Sequence, residues 1–241
     1  MIYAEILAGG IGSRMGNVNM PKQFLKLGDK PIIIHTIEKF VLNNRFEKIF
    51  VVVHPEWLAH AKSLLKTYSI KDERILILSG GTDRNESLLA GPRYLKEQGT
   101  LSAKDVIITH DSVRPFITHR IIEENIEGVL EYDAVDTVIN AIDTIVASTD
   151  GDFIESIPNR DHMFQGQTPQ SFNVEKLINL YDNLSEEDKA ILSDGCKVFI
   201  LSGEKIKLVE GEVSNIKVTN PYDFNVANHM IEGATNDKSS L

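Results

Sequence analysis

The chain has 241 residues, 42% of them hydrophobic and 25% charged, which is close to the globular average and argues against disorder or a disulfide scaffold. Its 35 acidic residues outnumber 25 basic ones, whereas a nonspecific nucleic-acid binder normally carries a basic surplus. No run approaches the ~20 apolar residues of a membrane helix, the N-terminus lacks the basic region of a secretory signal, and the single Cys196 cannot form an intrachain disulfide. These features predict a cytoplasmic protein that binds neither nucleic acid nor membrane.

Short apolar runs alternate with helical patterns along the first half of the chain. Three runs lack polar alternation, as is typical of strands buried on both faces of a parallel sheet: residues 2–7, 49–53 and 106–109. Apolar residues at helical spacing follow at residues 56–68, 86–98 and 120–132. Pro92 in the second pattern indicates a kink or a late start, and Thr118 suits an N-cap for the third. This alternation predicts a doubly wound α/β domain with a mostly parallel sheet.

A region from about residue 144 to residue 170 interrupts this alternation. The pair Asp150-Gly151 is a turn signal between two short extended pieces, residues 144–147 and 153–157. The residues that follow, 159–169, are polar and irregular. We expect this region to form a hairpin-like β-arm that projects from the main sheet.

The C-terminal part carries clear helix signals. The segment from Ser185 to Asp188 resembles a capping box that opens a short helix. Residues 215–219 have the pattern of a last strand, and Pro221 and Asp223 suit the first turn of a final helix. Since no interior stretch resembles a flexible linker, we expect residues 1–241 to form a single domain with the arm attached.

The strongest chemical signal is a glycine loop directly after the first strand, Leu7-Ala8-Gly9-Gly10-Ile11-Gly12-Ser13-Arg14. Glycines let backbone N–H groups approach a phosphate closely. No Gly-Lys-Ser/Thr closes the loop as in a P-loop, and Met15 stands where a dinucleotide fingerprint has its third glycine. Arg14 and the nearby Lys22 suit a polyphosphate and the charge that develops when a phosphoryl bond breaks. The alternative is an ordinary glycine-rich turn with surface cations.

A second glycine segment, Gly80-Gly81-Thr82-Asp83-Arg84-Asn85-Glu86-Ser87, also lies between a strand and a helix. Its backbone near Gly81 and the Ser87 hydroxyl suit contacts with a base edge or a ribose. The alternative is a turn in which Asp83 or Asn85 caps the helix.

The segment His110-Asp111-Ser112-Val113-Arg114-Pro115 ends a strand of the buried type. Ligands of open α/β sheets bind at the carboxyl ends of strands. Asp111 is therefore well placed to hold Mg²⁺, which prefers carboxylate and phosphate oxygens. Arg114 suits contact with Asp111 or with a substrate, and the alternative is a structural Asp–Arg pair that fixes the loop.

Weaker signals lie further along the chain. Arg160 suits a bidentate clamp on a phosphate, although an isolated loop arginine is usually only solvated. Lys217 stands within a core-type pattern, so its side chain either snorkels to the surface or points into a site. Asp223 suits a helix cap better than a metal ligand. The seven histidines show no metal-ligand spacing.

Together these residues resemble the cytidylyltransferases that activate sugar-alcohol phosphates, over nearly the whole chain. The resemblance rests on these motifs: Leu7-Ala8-Gly9-Gly10-x-Gly12-x-Arg14-Met15, Pro21-Lys22-Gln23, Gly80-Gly81-x-x-Arg84, His110-Asp111-x-x-Arg114-Pro115, Gln167-Thr168-Pro169-Gln170 and Asn215-Ile216-Lys217-Val218-Thr219. It implies a Rossmann-like nucleotidyltransferase fold. It also implies that a phosphate oxygen of a polyol phosphate attacks the α-phosphorus of CTP in line and that pyrophosphate leaves.

The resemblance also implies roles for individual residues. Arg14, Lys22 and Lys217 would stabilise the pentacoordinate phosphorus, and Asp111 would hold Mg²⁺. The nucleotide-binding residues would be Leu7, Ala8, Gly9, Gly10, Gly12, Gly80, Gly81, Asp83, Ser87 and Asp111. The acceptor-binding residues would be Arg114, Thr144, Arg160 and Thr168. The arm of this family reaches across a two-fold dimer, so Thr144 and Arg160 would serve the neighbouring subunit of a homodimer.

Two close branches of this family differ in their acceptor. One uses ribitol 5-phosphate for teichoic-acid synthesis, and the other uses 2-C-methyl-D-erythritol 4-phosphate for isoprenoid precursors. Residues 109–116, 135–138, 164–172 and 219–223 look more like the ribitol branch, which would also imply a functional link to a reductase that forms ribitol 5-phosphate. The methylerythritol branch, a uridylyl- or guanylyltransferase and a noncatalytic nucleotide-binding module are the alternatives. Glu5 departs from the family, since a small or apolar residue is usual there.

Overall fold

A computed structural model of the protein describes residues 1–10, 20–81 and 83–236. The strands are β1 Ile2–Ala8, β2 Lys26–Leu27, β3 Lys30–Pro31, β4 Lys48–Val53, β5 Ile75–Ser79, β6 Val106–Asp111, β7 Ala134–Asn140, β8 Phe164–Asn173 and β9 Lys207–Glu210. The α-helices are α1 Ile32–Val41, α2 Leu58–Thr67, α3 Arg84–Leu88, α4 Ala90–Glu97, α5 His119–Glu131, α6 Val174–Asn183, α7 Glu186–Ala190, α8 Gly195–Leu201 and α9 Pro221–Asn236. No helix within these described ranges is both long and apolar enough to span a bilayer.

A seven-stranded sheet forms the centre of the fold, in the order β5-β4-β1-β6-β8-β7-β9. Parallel pairing joins β5, β4, β1 and β6 in turn, and also joins β7 to β9. Only β8 among these seven strands is antiparallel to its neighbours β6 and β7. The sheet is therefore mostly parallel, as the alternating sequence pattern predicts.

Helices cover both faces of this sheet. On one face, α1, α2 and α5 pack on the even-numbered side chains of β1 and β6, such as Ile6 and Ile108. On the other face, α3, α4, α6 and α8 pack on Tyr3, Ile107 and Phe172. Because both faces are buried, the central strands are apolar without alternation. The doubly wound α/β fold is confirmed.

Several helix boundaries follow the chemistry of the sequence. The predicted helix at 86–98 is two helices, and the second restarts at Ala90, so Pro92 stands in its first turn, where a proline costs no hydrogen bond. Asp83 caps α3 by accepting from the backbone N–H of Glu86 at 2.8 Å. At α9, the Asn220 side chain accepts from the N–H of Asp223, whose carboxylate accepts in turn from the N–H of Asn220. The cap role of Asp223 is thereby confirmed.

Two boundaries in the second half differ from prediction. The polar stretch predicted as irregular contains β8, which starts at Phe164 and becomes buried from Gln167 onward. Its polar side chains are tolerated because they bond to neighbours, as Gln170 does to Asp136 at 3.0 Å. Residues 215–219, predicted as a strand, have no strand pairing. They lie against the end of the sheet through one backbone bond, from the N–H of Val218 to the carbonyl of Val113 at 2.9 Å.

The region predicted as an arm has little regular structure. The expected turn is present, because the Asp150 carboxylate accepts from the backbone N–H groups of Asp152 and Phe153. The two extended pieces meet in one isolated antiparallel bridge, between Ala147 and Ser156. Most of these side chains are exposed, including Phe153 at 75%.

Candidate active site

A cleft of about 420 Å³ opens where β1, β4, β5 and β6 end. Carboxyl ends of parallel strands share one edge of a sheet, which is where open α/β sheets bind ligands. The described residues that line it are Leu7, Ala8, Gly9, Gly10, Lys22, Gln23, His54, Gly81, Asp83, Arg84, Ser87, Asp111, Ser112, Val113 and Lys217. Eight of the predicted nucleotide contacts and two of the predicted catalytic residues are therefore brought together here.

The start of the first glycine loop is held by a buried glutamine. Gln23 is 2% exposed, and its Nε2 donates to the carbonyl of Ala8 at 2.7 Å and to that of Gly10 at 2.9 Å. These two hydrogen bonds hold the backbone at Ala8 and Gly10, where the loop leaves β1. The predicted residues Gly12 and Arg14 lie outside the described part of the chain.

The second glycine segment packs closely on the first. The Ser87 Oγ donates to the carbonyl of Asp83 at 2.9 Å. A Cβ at Gly9 would lie 3.1 Å from that Oγ, and a Cβ at Gly80 would lie 2.9 Å from it. The glycines therefore allow two loops and the Ser87 hydroxyl to converge at one wall of the cleft. Gly80 stands just behind this wall, with its N–H bonded to the carbonyl of Val53.

Asp111 is a buried carboxylate among three cations. The Lys217 Nζ lies 2.7 Å from its Oδ2, the Arg84 Nη1 lies 3.4 Å from its Oδ1, and the Arg114 Nε lies 3.8 Å from its Oδ2. Burial alone would raise the pKa of Asp111, but the positive charges of Arg84, Lys217 and Arg114 outweigh burial and hold it well below its usual range. The group is therefore an anion at any physiological pH.

A chain of hydrogen bonds behind Asp111 fixes its backbone. Burial lowers the pKa of His110 to about 4, so its ring is neutral near pH 7. Its Nε2–H donates to the carbonyl of Arg114 at 3.1 Å, which leaves Nδ1 to accept from the Thr168 hydroxyl at 2.9 Å. The Thr168 Oγ1 in turn accepts from the N–H of Asp111 at 3.1 Å. Thr168 is predicted to contact the acceptor, but its hydroxyl proton is already donated to the His110 Nδ1.

Arg114 is also buried, at 8% exposure. Its Nη1 donates to the carbonyl of Asn215 at 2.7 Å, and burial lowers its pKa. The structural Asp–Arg contact weighed as an alternative is therefore present beside Asp111. Arg114 and Thr168 support the cleft from behind and are absent from its lining among the described residues.

Thr144 and Arg160 do not join this cluster. Both are exposed, and the Arg160 Nη1 donates to the carbonyl of Ile142 within the same segment. Neither lines the cleft as the described residues form it.

Three residues that line the cleft have no individual role predicted from the sequence. Gln23 was visible only as part of Pro21-Lys22-Gln23, Arg84 only as part of the second glycine segment, and His54 only as the end of a strand. The signal for His54 was its position, since it directly follows β4 as Asp111 ends β6. His54 can be found if the residue that follows each parallel strand is treated as a candidate site residue.

The donor set for Mg²⁺ is small. Within the described ranges, no three His, Cys, Asp or Glu side chains form a group able to hold a metal ion. Asp111 offers an ionised carboxylate whose nearest charges are cations. This arrangement fits an Mg²⁺ that takes most of its ligands from phosphates and water, and does not fit a metal site made by the protein alone.

Known proteins share the sequence pattern and the fold of this chain. The family model described as IspD, 2-C-methyl-D-erythritol 4-phosphate cytidylyltransferase, matches residues 2–233. Among solved structures, 4-diphosphocytidyl-2C-methyl-D-erythritol synthase from Anaerococcus prevotii is 25% identical, with 96% of each chain covered and a TM-score of 0.79. The 2-C-methyl-D-erythritol 4-phosphate cytidylyltransferase of Francisella tularensis is 26% identical, covering 94% of this chain and 98% of that chain, with a TM-score of 0.76. The Thermus thermophilus enzyme of the same name, at 23% identity with 95% and 98% covered, shares the fold at a TM-score of 0.70. With a family model matched over nearly its whole length and a cleft of this composition, the chain belongs to the IspD family and is an enzyme of the cytidylyltransferase type.

Proposed function

We propose that this cytidylyltransferase transfers CMP from CTP to D-ribitol 5-phosphate, giving CDP-ribitol and pyrophosphate for teichoic-acid synthesis. One observation supports nucleotidyl transfer above the others. Lys22, Lys217 and the ionised Asp111 meet in a single cleft beside a glycine loop. A protein that only bound a nucleotide would not need two lysines and a buried carboxylate in one place.

The reaction needs positioning and charge stabilisation more than covalent chemistry. A phosphate oxygen of the acceptor forms a bond to the α-phosphorus of CTP, and the bond from that phosphorus to the bridging oxygen of pyrophosphate breaks. Lys22 and Lys217, with Arg14, would stabilise the negative charge on the phosphorus oxygens as it builds up. The glycine loop, Gly81, Asp83 and Ser87 would hold the cytidine.

Asp111 is the residue that would hold Mg²⁺. When bound, the ion would neutralise charge on the nucleotide phosphates. Since Asp111 already attracts three cations, we expect the protein to bind Mg²⁺ weakly in the absence of nucleotide. Isothermal titration of Mg²⁺ with and without CTP would show the difference.

Two kinds of resemblance bear on the identity of the acceptor, and they favour different polyol phosphates. Residues 109–116, 135–138, 164–172 and 219–223 look more like the ribitol branch, which favours ribitol 5-phosphate. The solved structures named above carry the names of methylerythritol enzymes, which supports 2-C-methyl-D-erythritol 4-phosphate as the second candidate. Both candidates use the same residues around the α-phosphorus.

Pyrophosphate release with CTP, Mg²⁺ and each acceptor separates the two candidates. We expect kcat/KM to be at least ~10-fold higher with ribitol 5-phosphate, because a site shaped for one polyol rejects another through unpaired hydroxyl contacts. The opposite preference would move the protein to isoprenoid synthesis. CTP binding without pyrophosphate release from either acceptor would instead indicate a noncatalytic module.

The exposed segment between β7 and β8 supports a homodimer. Its large apolar side chains are uncovered, with Ile142 at 68%, Phe153 at 75% and Ile157 at 60% exposure. An apolar surface of this kind favours contact with another protein surface. We propose that a second copy covers it and that Thr144 and Arg160 serve the partner's site, as the family resemblance implies. A reductase that forms ribitol 5-phosphate would supply the acceptor, and a CTP-dependent reaction of this kind suits the cytoplasm.

A further inference from the structure

Lys217 depends on a segment that has no strand pairing of its own. Residues 211–219 contain a turn and no strand or helix. Yet the Lys217 Nζ is placed 2.7 Å from the Asp111 Oδ2. A lysine side chain has many rotamers, so an accurate position requires a fixed backbone beneath it.

A buried asparagine two residues before Lys217 ties this segment to the sheet. Asn215 is fully buried, and its Nδ2 donates to the carbonyl of Thr168 at 2.9 Å and to the Gln167 Oε1 at 3.2 Å. Its own carbonyl accepts from the Arg114 Nη1 at 2.7 Å. Asn215 therefore joins three parts of the site: β8, the loop after β6 and the segment that carries Lys217.

Gln167 completes this contact from the side of β8. Its Nε2 donates to the carbonyl of Glu212 at 2.8 Å, and its Oε1 receives the Asn215 Nδ2. The approach is close, because a Cβ at Gly211 would collide with the Gln167 Oε1. The Gln167 amide therefore donates and accepts at once, which a carboxylate or an apolar side chain would not do. The Asn215 amide donates both of its hydrogen bonds here.

We propose that Asn215, held by Gln167, is a positioning residue that fixes Lys217 against Asp111. Asn215 itself stays behind the cleft and touches no substrate. This inference rests on the proposed function only insofar as Lys217 is catalytic, and the position of the lysine is testable without any turnover.

The first test measures the chemical accessibility of Lys217. The whole protein is treated briefly with acetic anhydride, and acetylation of Lys217 is measured by mass spectrometry relative to Lys176. Lys176 is a matched internal reference, since its Nζ lies 2.8 Å from both Asp133 and Glu204. We expect Asn215→Ala to raise the relative labelling of Lys217 by about tenfold, the effect of losing two buried hydrogen bonds on a local opening equilibrium.

The control removes a similar asparagine elsewhere. Asn43 is 3% exposed, donates to the Glu123 Oε1 and accepts from the N–H of Arg45, so it also fixes a loop. Asn43→Ala should destabilise the protein while leaving the labelling ratio unchanged. If Asn215→Ala does not fold, Gln167→Ala breaks the same contact from β8. An unchanged ratio in the folded variant would overturn the proposal.

The second test is a double-mutant cycle on turnover. We expect Asn215→Ala to lower kcat about tenfold with little change in KM for CTP, and to have no further effect when Lys217 is already alanine. Equal effects in both backgrounds would mean that Asn215 does not act through Lys217. If labelling changes as expected but neither acceptor is turned over, the positioning role stands and the proposed reaction fails.

Discussion

The Asp111 carboxylate links Lys217 to the rest of the fold. Lys217 contacts it directly, and Arg84 and Arg114 approach it from other elements. Lys22 also lines the cleft, at the start of a short 3₁₀ helix that contains Gln23. Since the three cationic side chains around Asp111 are ordered by protein contacts, their positive charge is in place before the reaction needs it.

Removing one of these charges should affect turnover more than stability. We expect Lys22→Ala to lower kcat by at least ~100-fold, the scale of losing one contact to a developing oxyanion. Arg14→Ala should have a similar effect. The measurement is steady-state pyrophosphate release, with circular dichroism to verify folding. Lys62→Ala, which removes an exposed lysine from α2, serves as the control, and near wild-type kcat in Lys22→Ala would exclude Lys22 from catalysis.

Asp136, unlike Asp111, is a carboxyl group whose ionisation changes near neutral pH. It lies on β7, and its Oδ1 accepts from the Gln170 Nε2 at 3.0 Å. Burial raises its pKa from 3.8 to about 6, with the nearby Asp194 acting in the same direction. Because the folded protein binds this proton more tightly than the unfolded chain, the stability that the group contributes is complete below about pH 4 and is lost as pH rises through about 6.

Asp136→Asn should therefore stabilise the protein in a pH-dependent way. We expect almost no change in the free energy of unfolding relative to wild type at pH 4, and a gain of about 2–3 kcal/mol at pH 7.5. Urea unfolding at both pH values measures this difference. The exposed Asp152→Asn is the matched control. A difference that does not change between the two pH values would contradict the expected ionisation of Asp136.

Among the strands and helices, prediction succeeded where the burial pattern is simple. The cores of β1, β4 and β6 are continuous apolar runs, so their positions follow from sequence alone. β8 was missed because its buried positions include Gln167, Thr168 and Gln170, whose polar groups are satisfied by distant residues. Residues 215–219 show the opposite case, since their apolar side chains face α9 and β2 in a small separate core and have no strand neighbour.

Some residues of the cleft could likewise be predicted from the sequence, and others could not. Residues that follow strands, such as Gly9 and Asp111, could be placed by the rule for strand ends. Gln23 and Asn215 could not be placed in this way, because their roles depend on hydrogen bonds to the carbonyls of residues far away in the sequence. Long-range hydrogen bonds of this kind leave no local pattern in the sequence.

The unusual Glu5 is explained by helix α4. Its Oε1 accepts from the N–H of Gly91 at 2.8 Å, and that N–H belongs to the first turn of α4, which has no partner within the helix. Burial raises the pKa of Glu5 well above its usual range. Its carboxyl group satisfies this N–H of α4 from strand β1. The contact requires a glycine, since a Cβ at position 91 would lie 2.7 Å from this oxygen.

This close approach makes Gly91 sensitive to substitution. We expect Gly91→Ala to destabilise the protein by about 1–3 kcal/mol, because the added methyl would also lie 2.8 Å from the Phe50 ring. Gly233→Ala is the control, since an added Cβ there meets no atom within 4 Å. In the exposed helix α9 it should stabilise by up to about 1 kcal/mol. The midpoints of urea unfolding decide between these signs, and equal shifts in both variants would refute the packing argument.

For the proposed homodimer, an experiment can decide whether residues of the segment between β7 and β8 act in the site of their own chain or in that of the partner. Neither Thr144 nor Arg160 lines the cleft of its own chain as described. If the arms cross between subunits, Lys217→Ala and Arg160→Ala should each be nearly inactive alone but complement each other when mixed.

Mixed dimers of these two variants would contain one intact site out of two. Unfolding and refolding an equimolar mixture should therefore restore about a quarter of wild-type activity, since half of random dimers are mixed. Sedimentation velocity would verify the dimers. Absence of recovery in mixed dimers would mean that each arm serves its own chain, and full activity of Arg160→Ala alone would remove Arg160 from the site.

Because of the strand order, the centre of the sheet is filled only late in synthesis. β8 lies between β6 and β7, although both are made before it. A chain halted before residue 164 would already contain the first glycine loop and Asp111, yet the β-branched edge of β6 would have no neighbour to cover it, and such an edge favours aggregation. Lys217 arrives later still. Chains that end before residue 164 would therefore lack Lys217 and expose an unpaired edge of β6. We expect such fragments to be inactive and to aggregate unless they are degraded.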